Sequence, residues 1–225
     1  MIPSFVRGSI APVFTAVHED GRLDDEGQRA ILDALYETRA VGAYFVRSGM
    51  GQMYTFSYED VRQMARTACP HMAGRGAVLV GATGIWDRDR VQRPHPDVFL
   101  NQAVELSQYA AGQGAAGVVH TVPEAIAPRG TQTPADVIKH YFETIDRAVE
   151  LPIFIYQSPG TAPEYVITPE LAAWLADLPR VKGMKASTAD AGYIFDIAHA
   201  VADKDFTFIV GNETPNLAAN FSCVR

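Results

Sequence analysis

Among the 225 residues 26 are acidic and 19 basic, and a formal net charge of −7 with scattered Lys and Arg excludes a nucleic-acid footprint, which needs clustered cations. A composition of 48% hydrophobic and 20% charged residues describes one globular domain over residues 1–225, long enough to bury a full core. Two cysteines, Cys69 and Cys223, are too few for a disulfide framework or a zinc site, and a reducing, cytoplasmic setting is expected. No run approaches the ~18 apolar residues of a membrane span, and the N-terminus lacks a secretion pattern.

In chain order, short β-branched or aromatic runs predict strands at 9–15, 43–47, 77–81, 117–121, 152–157, 181–186 and 206–211. Helical periodicity separates them. Ala30, Ile31, Ala34 and Leu35 make one apolar face, Val61, Met64, Ala65 and Ala68 a second, and Val137, Ile138, Tyr141, Phe142 and Ile145 a third. Helix starts carry caps at Ser57 with Asp60, at Thr133-Pro134 with Asp136, and at Thr168-Pro169-Glu170.

Strands that read as unbroken apolar runs are buried on both faces, and intervening helices supply right-handed crossovers, so the class is parallel α/β. A doubly wound open sheet and a TIM-type (β/α)8 barrel both fit. The first strand ends in Pro12, Val13, Phe14 and Thr15 with no Gly-x-Gly-x-x-Gly after it, which weakens the dinucleotide-binding version. Polar or glycine-rich groups instead follow many strands: Ser48-Gly49-Met50-Gly51-Gln52, Ala82-Thr83-Gly84, His120-Thr121, Tyr156-Gln157-Ser158-Pro159, Lys185, and Gly211-Asn212-Glu213. Functional groups at several strand ends are what a barrel mouth requires. The irregular stretch 85–97, with Trp86, Asp87, Arg88, Asp89, Arg90 and Arg93, is expected to be a solvated loop near that mouth.

Lys185 closes an apolar run, Val181-Lys182-Gly183-Met184, just before Ser187, Thr188, Ala189 and Asp190 open the next turn. Burial disfavours its charged form and can bring a lysine to about pKa 7–8, where the neutral amine attacks a carbonyl. A surface lysine whose stem lies on apolar neighbours is the alternative. Tyr156, at another strand end, is either an acid–base hydroxyl or an aromatic anchor with a satisfied O–H. His120 is either a neutral-pH acid–base group or a packed, hydrogen-bonded core residue.

Taken together, Gly8-Ser9-Ile10-Ala11-Pro12-Val13-Phe14-Thr15, Ser48-Gly49-Met50-Gly51-Gln52, Tyr156-Gln157-Ser158-Pro159, Lys185-Ala186-Ser187-Thr188 and Gly211-Asn212-Glu213 resemble, in order and over nearly the whole chain, the dihydrodipicolinate synthase and N-acetylneuraminate lyase family. These are class I aldolase-type (β/α)8 barrels. The resemblance implies a Schiff-base lyase or aldolase acting on pyruvate or a related 2-oxo acid and an aldehyde, with no metal or organic cofactor. It makes Lys185 the imine-forming lysine and Tyr156 the proton relay, with Gly49, Met50, His120 and Gly211 as substrate-binding positions. Departures accompany it. Gly49 and Met50 stand where the family presents hydroxyls, Pro123-Glu124-Ala125 replaces Pro-Tyr-Tyr, and Gly160-Thr161 stands where the synthases carry an arginine. Lysine-biosynthetic activity is therefore not expected, and the second-substrate pocket is altered. A catalytically silent barrel fragment serving as an interaction or structural subunit is the rival reading. Seven strands are counted against the eight of a closed barrel, so a C-terminally incomplete barrel with a seventh helix at 215–222, associating as a homo-oligomer, is expected.

Overall fold

The computed structural model describes residues 1–6 and 8–212. Seven strands alternate with six helices: β1 Ser9–Pro12, α1 Asp25–Glu37, β2 Val41–Val46, α2 Tyr58–His71, β3 Ala77–Gly81, α3 Pro96–Gly112, β4 Gly117–Thr121, α4 Pro134–Ala148, β5 Ile153–Gln157, α5 Pro169–Ala176, β6 Val181–Ala186, α6 Ala191–Ala200 and β7 Thr207–Val210. Every strand pairs in parallel with the next, in the order β1-β2-β3-β4-β5-β6-β7. That order decides between the two architectures, because a doubly wound sheet reverses direction at a switch point and this one never does. The expected helix at 215–222, Glu213 and Cys223 lie outside the described residues.

Alternate strand residues face two different cores. Tyr44, Val46, Val78, Val80, Val118, Ile153, Ile155 and Met184 pack outward on helix residues such as Leu32, Val61, Phe99, Tyr141, Phe142 and Leu175. Ala43, Phe45, Leu79, Val119, Phe154 and Tyr156 face inward and form a second cluster with Val6 and Met53. This inner layer fits because large and small residues oppose one another. A Cβ added at Gly117 or at Gly183 would stand 3.1 Å from the Phe154 ring, so the two glycines leave the space that the phenyl fills.

The helix starts form as the sequence dictates. Ser57 and Thr133 each accept from the backbone N–H of an aspartate three residues on, and Asp60 and Asp136 reciprocate to the cap N–H, two complete capping boxes. Thr133→Ala should lower stability by about 1 kcal/mol in urea unfolding, the usual worth of such a cap. In α1 the buried face differs from the expected one. Gln28 and Leu32 are buried, while Ala30 and Ala34 are exposed. Gln28 earns its place by hydrogen bonds, accepting from the Ala16 N–H at 3.1 Å and donating to the Phe14 carbonyl at 3.2 Å. β1 also ends earlier than expected, at Pro12: the Val13 N–H still donates to the Phe45 carbonyl of β2, but the Val13 carbonyl accepts from Ser48 and the Thr15 hydroxyl donates to Gly51, so the chain beyond holds the segment after β2 instead of continuing the ladder.

Candidate active site

The register of β5 on β6 sets Tyr156 beside Lys185. Both side chains point to the inner face, and the lysine Nζ lies 4.3 Å from the centroid of the Tyr156 ring. Burial lowers the lysine pKa, and no carboxylate among the described residues opposes the effect. Lys182, three residues earlier, is different: its Nζ is 2.8 Å from Asp205 in an ordinary ion pair. Of the two lysines of β6, the one at the strand's C-terminal end is thus the one without an ion-pair partner among the described residues.

Tyr156 is 4% exposed. Its ring meets Phe45 edge-on at 6.2 Å and 88°. Burial raises the phenol pKa, partly opposed by the Ser187 hydroxyl and the Arg88 charge, so the hydroxyl keeps its proton at neutral pH.

Two glycines make room for this pair. A Cβ at position 49 would stand 2.7 Å from the Tyr156 hydroxyl, and one at position 211 would stand 2.7 Å from Lys185 Cε and collide with Ser187 Oγ. Side chains at these two places would occupy the space beside the Tyr156 hydroxyl and the Lys185 stem. The segment holding Gly49 is tied down on β1: the Ser48 hydroxyl donates to the Val13 carbonyl at 2.9 Å and accepts from Gly51 N–H at 3.0 Å, while Thr15 donates to the Gly51 carbonyl at 2.7 Å. Met50 is 52% exposed at the rim.

The structure thus brings Lys185, Tyr156, Gly49 and Gly211 together, with Met50 at their edge. It does not bring His120. Alternation along β4 turns that side chain outward, where its ring bonds Ser107 at 3.0 Å and Tyr141 at 2.9 Å beneath α3 and α4. Burial lowers its pKa to about 3, so it stays neutral and packed. Substrate binding by His120 is withdrawn for this reason.

Stretch 85–97 also departs from the expected solvated loop. Trp86 is buried, with its indole N–H donating to the Asp89 carbonyl at 2.9 Å. Arg88 donates to the Pro159 and Gly160 carbonyls at 3.0 and 2.8 Å, and Arg90 reaches the buried Glu124 at 2.9 Å. Glu124 also accepts from the Ala162 N–H at 2.9 Å, so one carboxylate joins the segments after β3, β4 and β5. Tyr54 lies under the Arg88 guanidinium, 5.1 Å from ring centroid to Cζ, and donates to Ser158 at 3.0 Å. Sequence reasoning missed this crown because its partners are 34 to 104 residues apart. Arg47 was missed as well. It leaves β2 with φ of 50°, and its guanidinium donates to the carbonyls of Met53, Gly81 and Thr83. Burial lowers its pKa to about 10.

Residues 5–220 match the model of the dihydrodipicolinate synthetase family. The chain belongs to that family. Among its relatives, a 4-hydroxy-tetrahydrodipicolinate synthase of Aromatoleum aromaticum is 28% identical over 208 residues, covering 92% of this chain and 64% of the relative. A putative 2-dehydro-3-deoxy-D-gluconate aldolase, YagE of Escherichia coli, is 30% identical over 207 residues, covering 91% of this chain and 62% of the relative. The crystal structure of YagE in complex with pyruvate superposes with a TM-score of 0.78 at 26% identity, covering 96% of this chain and 68% of that one. An N-acetylneuraminate lyase of Mycoplasma synoviae shares the fold, with a TM-score of 0.70 at 19% identity over 91% of this chain and 62% of that one. The chain spans a little under two thirds of the length of the curated relatives it matches. The expected resemblance and the (β/α) barrel class are thereby borne out. Among the described residues no helix is long and apolar enough to cross a membrane, and no three His, Cys, Asp or Glu side chains are placed to hold a metal ion.

Proposed function

We propose that this chain carries the imine-forming half of a pyruvate-type aldolase or lyase, with Lys185 as nucleophile and Tyr156 as the group that moves protons. The observation that carries this reading is the pairing of a buried lysine, with no carboxylate partner among the described residues, with a buried phenol beside it on the next strand. Neutral Lys185 Nζ adds to the keto carbon of a 2-oxo acid, and a proton moves from nitrogen to the new hydroxyl, giving a carbinolamine. Tyr156 then protonates that hydroxyl, which leaves as water, and the nitrogen lone pair closes the C=N bond. The phenolate takes a proton from the neighbouring carbon, giving an enamine and restoring the phenol. An aldehyde can add at that carbon, or be released from it in the reverse direction.

Gly49 and Met50 support carboxylate binding by the main chain, since neither backbone N–H has an acceptor among the described residues. The Arg88, Arg90 and Glu124 crown ties down the segments after β3, β4 and β5, and Gly160-Thr161 stand where the synthases carry an arginine, which supports a second substrate different from that of the 4-hydroxy-tetrahydrodipicolinate synthases. The same features bear on the rival reading of a silent barrel, so the deciding test is the covalent step alone. Borohydride treatment with pyruvate should give one reduced adduct in the intact mass, mapping to Lys185 and lost in Lys185→Ala. An adduct that persists in Lys185→Ala, or none in the parent with pyruvate, 2-oxobutyrate or hydroxypyruvate, overturns the reading.

A further inference from the structure

We infer that Arg47 is a positioning residue for the substrate carboxylate, clamping the turn 48–53 so that the Gly49 and Met50 N–H groups stay together and unpaired beside the site. This rests on the reading of the site as one that forms an imine with a 2-oxo acid. Two adjacent main-chain N–H groups hold a carboxylate only while the turn that carries them keeps one conformation. With glycines at 49 and 51 this turn has little stiffness of its own. Its shape has to be imposed by neighbours. Within the turn, Met53 N–H donates to the Ser48 carbonyl at 3.2 Å and Gln52 N–H to the Gly49 carbonyl at 3.3 Å, which leaves the N–H groups of Gly49 and Met50 without acceptors among the described residues. Ser48 and Thr15 bolt the turn to the chain after β1.

On the β3 side Arg47 supplies the tie. Its Nε donates to the Met53 carbonyl at 3.1 Å, and its Nη1 donates to the Gly81 and Thr83 carbonyls at 3.1 and 2.6 Å. One planar cation thus joins the residue before the turn, the residue that ends it and the end of β3. The backbone is bent to allow this. Alternation from Ala43 and Phe45 would turn Arg47 inward with them, but φ of 50° takes it out of that phase, and Gln52 near the other end of the turn has φ of 61°. Non-glycine residues persist in this left-handed region where the contacts around them over-determine it. Gly81 fits closely against Arg47: a Cβ there would stand 2.5 Å from the Arg47 carbonyl oxygen and 3.3 Å from the Arg47 Cβ. Arg47 is 2% exposed, and no carboxylate among the described residues pairs with it. A buried cation without a counter-ion is disfavoured relative to an apolar side chain of similar size. What the guanidinium supplies and an apolar side chain could not is the clamp on the turn. With its N–H groups on carbonyls, it acts on the substrate through that turn.

Exchange of the pyruvate methyl hydrogens with D2O, followed by proton NMR, reads imine and enamine formation without an aldehyde. Methyl pyruvate gives the same readout with the carboxylate masked as a neutral ester. The parent should favour pyruvate over the ester in kcat/KM. Arg47→Met should lose about 10- to 100-fold of that preference, the range for a hydrogen bond to a charged group. The loss should lie in a raised KM for pyruvate, with kcat for pyruvate and kcat/KM for the ester within about threefold of the parent. Both substrates are measured on one sample, so the preference does not depend on the fraction of protein that is folded. Arg47→Lys keeps the charge but not the three-way fork, and should lose at least about tenfold. It decides alone if Arg47→Met does not fold. The borohydride adduct at saturating pyruvate should form in the parent and in each folded variant. If either variant keeps the parent's preference or slows both substrates alike, or if the parent takes the ester as well as the acid, the inference about Arg47 fails while the adduct keeps the Lys185 reading intact. Absence of the adduct from the parent removes that reading and this inference with it.

Discussion

Tyr156→Phe should slow methyl exchange of pyruvate by about 10²–10⁴-fold, the usual effect of removing a positioned acid–base group. The borohydride adduct on Lys185 should still form, because the amine's nucleophilicity comes from its own burial and not from the phenol. The substitution is also a clean one. The ring edge on Phe45 and the inward packing with Phe154 and Val119 depend on the six-membered ring, which phenylalanine keeps. What is lost is one buried hydroxyl, the group proposed to move the proton. In the parent the phenol pKa is raised, so at neutral pH the group is protonated and ready to donate; rate should fall on the alkaline side as the phenol ionises. An unchanged exchange rate in Tyr156→Phe would return Tyr156 to a packing role and leave the site with no group to move the proton.

The parts of this chain that could be read from sequence are those governed by neighbours along the chain. Strands β3, β4 and β6 fall at the expected residues because each is an apolar run bounded by glycine, turn or cap signals. The caps at Ser57, Thr133 and Thr168 are local hydrogen bonds spanning three residues, and all three form. Lys185 and Tyr156 were legible for a related reason. Each ends an apolar strand, and parallel neighbours in a barrel bring strand ends to one mouth.

His120 also ends a strand, and there the same rule fails. Position at a strand end selects the mouth only for residues on the inward face, and His120 is one residue out of phase with Thr121 and Val119. A two-residue count from Val119 separates the inward residues of β4 from the outward ones. The crown was out of reach for a different reason. Arg88 and Arg90 belong to a charged stretch that looks solvated, and only the buried Glu124, 34 residues away from Arg90, makes them structural. No local pattern encodes that meeting. Arg47 is similar: a cation at a strand end looks exposed, but a positive φ turns it back among three carbonyls contributed by two other segments.

The out-of-phase histidine has a consequence for stability that can be measured apart from any activity. His120 has 0% exposure and is held neutral, with its pKa lowered from 6.5 to about 3. In the unfolded chain it regains an ordinary value near ~6.5. Between these two values the unfolded state binds a proton that the folded state refuses, so stability rises with pH at up to about 1.4 kcal/mol per pH unit. The contribution is complete above the unfolded pKa and is lost as pH falls toward the folded one. Carboxylates titrate mostly below about pH 4.5 and the other five histidines are common to parent and variant, so the difference between the two proteins from about pH 6.5 down to 4.5 isolates His120. His120→Gln keeps a polar side chain facing Ser107 and Tyr141 but takes up no proton. Urea unfolding should therefore show the parent losing stability steeply across that interval and the glutamine variant staying flatter. At neutral pH the variant should be less stable by about 1–3 kcal/mol, since its amide replaces two ring hydrogen bonds imperfectly. Its rate of pyruvate methyl exchange should match the parent's, because the side chain sits under α3 and α4 and not at the mouth. Equal pH slopes in the two proteins would show that the buried ring accepts a proton after all, and a large loss of exchange would return His120 to the chemistry.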